Sequence, residues 1–209
     1  MSDTIEAATA IAKAVEKTAS LLEGTGKFFA PILEDYLGLH WADKLHFRRL
    51  NNFARMAQES QAYIEGLDPK RISEPSPSVL LPFLKASADE ERKELRDLWA
   101  KLLANAAVDG GTKVRREFFE TVKNMEPIDA LILEVFDSPA VSNGSPTTQI
   151  PTIASQIIVK GIQVGLNNVN VEISLEALQK LGCLARAQSH HPWYMTPYGK
   201  AFREACKII

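Results

Sequence analysis

Leu95, Leu98, Trp99, Leu102, Leu103 and Ala106 recur at i, i+3, i+4, i+7, i+8 and i+11 within Glu91 to Ala107, a run without glycine or proline. On a helix that spacing makes one broad apolar stripe, and such a stripe is stable only when other elements cover it. The chain must therefore build a core around this segment. Ser87-Ala-Asp-Glu90 has the form of a capping box ahead of it, and Asp109-Gly-Gly111 supplies its stop.

Helical punctuation continues on both sides. Asp3-Thr-Ile-Glu6 opens an Ala-rich helix ending near Gly24 to Gly26, and a second helix follows Pro31 and runs from Ile32 to Ile64, with Gly38 able to bend it and Gly66 to end it. Ser73-Glu-Pro-Ser-Pro-Ser78 pushes the chain out of helical angles and marks a hinge or packed connector, with a short helix over Val79 to Lys85 beyond it. Helices are then expected over Arg115 to Met125 and Pro127 to Phe136, a loop over Ser138 to Pro151, and a helix over Thr152 to Leu166, where Ile-Ile-Val also suits a strand. Ser174 is expected to cap a compact helix, Leu175 to Leu181, ended by Gly182. Cys183 to Gln188 and Pro192 to Met195 read as two strands around a polar tip, and Thr196-Pro197 as the start of a last helix with Phe202, Ala205 and Cys206 inward. The fold class expected is mainly α: an N-terminal helical bundle with a C-terminal winged-helix-like module carrying a short β-hairpin. Residues 1–74 form the first unit and 75–209 the second, of which 127–209 is the winged-helix-like part.

Charge and cysteine content narrow the functional classes. Residues 1–75, 76–145 and 146–209 carry net charges of −2, −3 and +3, so the tail alone is basic, and too weakly for a strong nucleic-acid footprint. Lys, Glu or Asp interrupts every apolar stretch before it reaches bilayer length, and Met1 to Ala10 is acidic where a secretory signal is basic. A cytoplasmic protein with no transmembrane segment is expected. Cys183 and Cys206 are too few and too far apart for a disulfide framework or a Cys-x-x-Cys site and read as reduced core thiols.

No pattern in the chain calls for catalysis, a metal or a cofactor. A Gly-x-Ser-x-Gly elbow is missing, and Gly24-Thr-Gly-Lys27 lacks the strand before it and the hydroxyl after it that a phosphate-cradling loop needs. Glu90, Glu91, Glu94 and Asp97 alternate with Arg92, Lys93, Arg96 and Lys101 and read as a solvated face, with Asp97 and Lys101 paired at i, i+4. His40 and His46 lack metal-ligand spacing, and the adjacent His190 and His191 read as a wing tip. Two groups could meet a macromolecule. Lys44, Arg48, Arg49 and Arg55, near Trp41 and Phe47, form a basic and aromatic cluster suited to an acidic partner, nucleic acid or a membrane surface. Gln179, Lys180, Arg186, His190 and His191 lie where a winged helix would place its recognition helix and wing, but Glu172 and Glu176 stand where phosphate would approach.

Three stretches together resemble one family. Glu94-Leu-Arg-Asp-Leu-Trp-Ala-Lys-Leu-Leu-Ala-Asn-Ala106, Val122-Lys-Asn-Met-Glu-Pro-Ile-Asp-Ala-Leu-Ile-Leu133, and Ser174-Leu-Glu-Ala-Leu-Gln-Lys-Leu-Gly182 with Met195-Thr-Pro-Tyr-Gly-Lys-Ala-Phe-Arg-Glu-Ala-Cys206 are similar to the Abi-alpha (abortive infection alpha) family of bacterial proteins. The resemblance spans roughly residues 75 to 207 and departs at Cys183-Leu184, where the family usually has Leu-Ile. It implies bacterial antiphage defence by abortive infection and carries no catalytic residue over. The function expected is non-enzymatic defence through macromolecular binding, with a phage or host protein as partner. The alternatives are a winged-helix DNA-binding regulator, whose C-terminal module would touch nucleic acid, and an immunity-type inhibitor of a toxin. The second helix and the Leu-Trp stripe also offer surfaces for a homo-oligomer.

Overall fold

A computed structural model describes residues 44–136, 168–186 and 193–207. The helices expected over the first 24 residues and over Thr152 to Leu166, the loop Ser138 to Pro151, and the tip with His190 and His191 lie outside them. The described residues form seven helices, which we number α1 to α7, and one two-stranded antiparallel hairpin.

Helix α1, Lys44–Ile64, turns Phe53, Ala54, Met56, Ala57, Ser60 and Ile64 inward. Its main partner is α3, Lys93–Ala107, whose expected stripe is buried along its whole length. Backbones come close at Ser60, whose Oγ lies 2.6 Å from the Met56 carbonyl and 2.8 Å from that of Ala100. The Leu-Trp stripe thus has its cover within the chain.

Between these helices the chain is fastened down. Asp68 caps the 3-10 turn Pro69–Arg71, Ile72 bridges Val108, and the Ser73 N–H donates to the Ala107 carbonyl at 2.8 Å. Pro75 is buried, so the proline-serine segment is a packed connector. Helix α2, Pro77–Ser87, starts on Pro77 and buries Leu80, Phe83 and Leu84. Phe83 sits at the centre of the core, edge-on to Phe53 (6.4 Å between centroids), Trp99 (5.3 Å) and Phe119 (5.6 Å). One core of buried residues runs from Phe53 to Cys206.

The capping box expected at Ser87 does not form. Ser87 is the last residue of α2, its buried Oγ has no hydrogen-bond partner, and α3 begins only at Lys93 after an extended Arg92. Glu90 and Glu91 therefore precede the helix that they were expected to share. The Glu90 carboxylate accepts instead from the Arg92 backbone N–H at 2.9 Å and from its guanidinium at 3.0 Å.

Helix α4, Glu117–Lys123, carries two adjacent phenylalanines with different duties. Phe119 joins the Phe83 and Trp99 cluster, whereas Phe118 meets Tyr198 and Phe202, each at 5.5 Å. Helix α5, Pro127–Phe136, packs against α3 and α6 and occupies the residues expected. Asp129, in its first turn, reaches back to accept from the Glu126 N–H at 2.8 Å.

Helix α6, Asn168–Lys180, begins seven residues earlier than expected, and Ser174 lies buried in its interior rather than at its cap. Ser174 faces the Asp129 carboxyl on α5, so tertiary packing uses the hydroxyl that local pattern assigned to capping. Gly182, at φ +76°, ends the helix: the Cys183 N–H bonds the Leu178 carbonyl and the Gly182 N–H that of Gln179, each at 2.9 Å. Strand β1, Leu184–Ala185, pairs with β2, Tyr194–Met195, in the register Leu184 to Met195 and Ala185 to Tyr194. Helix α7, Pro197–Ala205, starts as expected, with the Thr196 Oγ1 accepting from the Gly199 N–H at 2.9 Å and Pro197 at its first position. Phe202, Ala205 and Cys206 face the core. The Asn105 amide donates to the Lys207 carbonyl at 3.0 Å and ties the chain's end to α3.

Candidate interaction surface

The basic cluster of α1 faces the turn between α2 and α3. The Arg48 guanidinium pairs with Glu91, and that of Arg49 forms two parallel bonds to Asp89 at 2.8 and 2.9 Å. Each arginine holds its partner carboxyl below the usual carboxylate range through these bonds. Arg55 is exposed about two turns further along, and Lys44 opens the helix. Two of the four candidate residues are therefore engaged within the chain.

Further down the same seam, Arg96 meets Glu59 at 2.9 Å, and the Tyr63 hydroxyl donates to Asp97, which also receives Lys101 at 2.6 Å. Burial, followed by the Asp97 bond, raises the Tyr63 phenol well above its ordinary value. A cleft of about 480 Å³ opens here between α1, α3 and α5, with Glu94 and Glu134 on its wall. The charged face read as solvated is thus in large part an interhelical ion-pair seam, with the Asp97 to Lys101 pair in place. Among the described residues no three His, Cys, Asp or Glu side chains converge as metal ligands would.

Burial shifts two thiols and one carboxyl toward their neutral forms. Burial pushes the thiols of Cys183 and Cys206 up to about 12, and both are free cysteines. It also raises the Asp129 carboxyl, against the opposing effect of the Glu126 N–H and Ser174.

The C-terminal candidates occupy one end of a different surface. Val171, Ser174, Leu175 and Leu178 are the buried side of α6, leaving Val169, Glu172, Ile173, Glu176, Gln179 and Lys180 on the other. Val169 and Ile173 are each 60% exposed, one turn apart, and Tyr194 on the hairpin is 52% exposed. Arg186 stacks over the buried Trp193 ring at 4.6 Å, so its stem is committed to the hairpin. Gln179, Lys180 and Arg186 thus lie on connected elements, while His190 and His191 are outside the described residues. Sequence reasoning passed over Val169 and Ile173. The signal was there, because a helix that buries Val171, Leu175 and Leu178 has no inward place for either.

Among the described residues no helix is long and apolar enough to cross a membrane. The fold is thus that of a mainly helical protein with a core built on α3 and a small C-terminal hairpin. The chain belongs to the abortive infection alpha family, whose model matches residues 48–206 and so takes in most of α1 as well as the segment from 75 onward. No curated protein and no solved structure matches the chain.

Proposed function

We propose that the chain serves abortive infection without catalysing a reaction, by binding a phage or host protein through the exposed side of α6 and the adjoining hairpin. The observation that carries this reading is the composition of that side. Two large apolar residues interleaved with Glu172 and Glu176 suit a protein contact, whereas phosphate would meet two carboxylates. Family membership supports the defence role. The buried thiols and the paired seam support the non-catalytic part, since a nucleophile at about 12 is neutral at physiological pH.

The test is phage plating on cells with the chain, without it, and with V169D/I173D. Defence should vanish in the double variant while its melting temperature stays near that of the wild type, because both positions are exposed. Unchanged protection by that variant removes the α6 reading, and equal plating with and without the chain across a broad phage panel removes the defence role.

A second reading, a winged-helix regulator that binds DNA, draws on one specific arrangement. Helix α6, the β1–β2 hairpin and α7 follow in the winged-helix order, with Lys180 and Arg186 at the end of α6 and on the hairpin. Its discriminator is duplex binding across a salt series, since phosphate contacts weaken steeply as salt rises. An absence of binding at low salt ends it.

A further inference from the structure

The exposed side of α6 has a counterpart of opposite charge on the same chain. Helices α2 and α4 flank a groove of about 440 Å³, the scale of a site that takes a few side chains. Pro77, Leu81 and Pro82 give it an apolar wall, and Leu81 is 57% exposed although it belongs to a helix that buries Leu80, Phe83 and Leu84. Lys85, Arg116 and Lys123 stand around that wall, with Glu120 the one carboxylate. Glu120 is engaged by Lys123 at 3.8 Å, whereas Lys85 and Arg116 make no ion pair among the described residues. A net positive groove stands out on a segment, residues 76–145, whose own net charge is −3.

The α6 stripe offers the converse pattern. Val169 and Ile173 project one turn apart, and Glu172 and Glu176 project one turn apart beside them. Laid into the groove, the apolar pair would cover Leu81, and the two carboxylates would face the two uncommitted cations. A nucleic-acid backbone would satisfy the cations but leave Leu81 in water and approach Glu120. We infer that this groove takes the α6 face of a second copy of the chain, so that the protein self-associates through Lys85 and Arg116 against Glu172 and Glu176.

The inference rests on the α6 side being a contact surface, as proposed above, and assigns its occupant when no foreign protein is bound. A groove this small buries little area, so association is weak and reversible, as expected below roughly 1,200 Å² of interface. Exposed charge pairs are screened with a Debye length of about 8 Å at physiological salt, so added salt should weaken it further.

Sedimentation of the full chain over a concentration series tests this. The wild type should rise above the 23.1 kDa of one chain as concentration increases and return towards it as salt is raised. K85E/R116E alone and E172K/E176K alone should each stay at the monomer mass, and a mixture of the two should associate again, because the reversed groove then fits the reversed helix. K85R/R116K should behave as the wild type. A wild type that is monomeric throughout, an association that both reversals leave intact, or a mixture that fails to recover overturns the inference. So does a groove that binds duplex DNA or a free acidic peptide through Lys85 and Arg116 while the chain itself stays monomeric. The measurement is separate from phage plating: a monomeric wild type that still loses defence in V169D/I173D refutes self-association and leaves the α6 contact standing.

Discussion

Gly199 is where a single methyl group should do most damage to the C-terminal module. It lies in the first turn of α7, pressed against Cys183, the residue before β1, and a Cβ built on it would stand 2.1 Å from the Cys183 carbonyl oxygen and 2.9 Å from its carbon. Both are backbone atoms, so no side-chain rotation relieves the clash, and the helix start must retreat by about 1 Å to reach ordinary contact. Retreat also strains the Thr196 N–H bond to the Cys183 carbonyl at 3.0 Å and the Thr196 hydroxyl contact to the Gly182 carbonyl at 2.6 Å. Overpacking of a rigid site costs about 1–3 kcal/mol, and loss of a helix cap about 1 kcal/mol more, so Gly199→Ala should lose roughly 2–4 kcal/mol. At about 2–4 °C per kcal/mol for a chain of this size, the melting temperature should fall by about 4–16 °C. Gly66→Ala is the control, because φ is +88° there but nothing lies within 4 Å, which leaves only a backbone cost of about 1 kcal/mol. Thermal melts of both variants by circular dichroism decide the matter. A Gly199→Ala melt within about 2 °C of the wild type, or one no lower than that of Gly66→Ala, refutes the close approach of α7 to the Cys183 carbonyl.

Trp99→Ala should cost about 3–5 kcal/mol in urea unfolding, since the fully buried indole touches both Phe83 and Phe119, and a loss under about 1 kcal/mol would contradict its place in the core. Asp129 gives a pH test. Its carboxyl is raised by burial, so folding favours the protonated form; its contribution is full below the unfolded value near 3.8 and declines as pH climbs through the higher folded value. Relative to Asp129→Asn, the wild type should therefore lose stability as pH rises over that interval, and parallel stability curves would refute the shift. Cys183 and Cys206 should resist a thiol reagent in the native protein at neutral pH and react after unfolding, and rapid native labelling of both would show that they are not enclosed.

The parts of the fold legible in the sequence are those decided within a few residues. The α3 stripe is legible because helical periodicity repeats over about three turns, and the Thr196-Pro197 start because cap and first-turn proline act on their own backbone. Ser87 and Ser174 show the limit of the same reasoning. Each has a local pattern suited to capping, but one ends the preceding helix and the other faces Asp129 across an interhelical contact. Local chemistry offers a hydroxyl, and tertiary packing decides which group receives it. The Arg48 to Glu91 and Arg49 to Asp89 pairs, 43 and 40 residues apart, are beyond periodicity for the same reason: it shows that a face is charged without showing what stands opposite. The α6 side was half legible, with Gln179 and Lys180 marked as candidates and the exposed Val169 and Ile173 missed when the helix start was placed at Leu175.

Which charges are already committed bears on what a partner must look like. On α1, a ligand for Arg48 or Arg49 would first have to displace Glu91 or Asp89, trading one ion pair for another with little net gain. On α6, Glu172 and Glu176 flank apolar side chains that water now covers, so a partner gains both the burial of Val169 and Ile173 and new charge pairs. Such a partner must present cations around an apolar wall, which is the chemistry of the α2–α4 groove. A foreign protein acting through α6 should therefore compete with self-association, and adding it should return the chain to a one-to-one complex. A partner that binds the assembled form without dissociating it would use another surface, and V169D/I173D would leave its affinity unchanged.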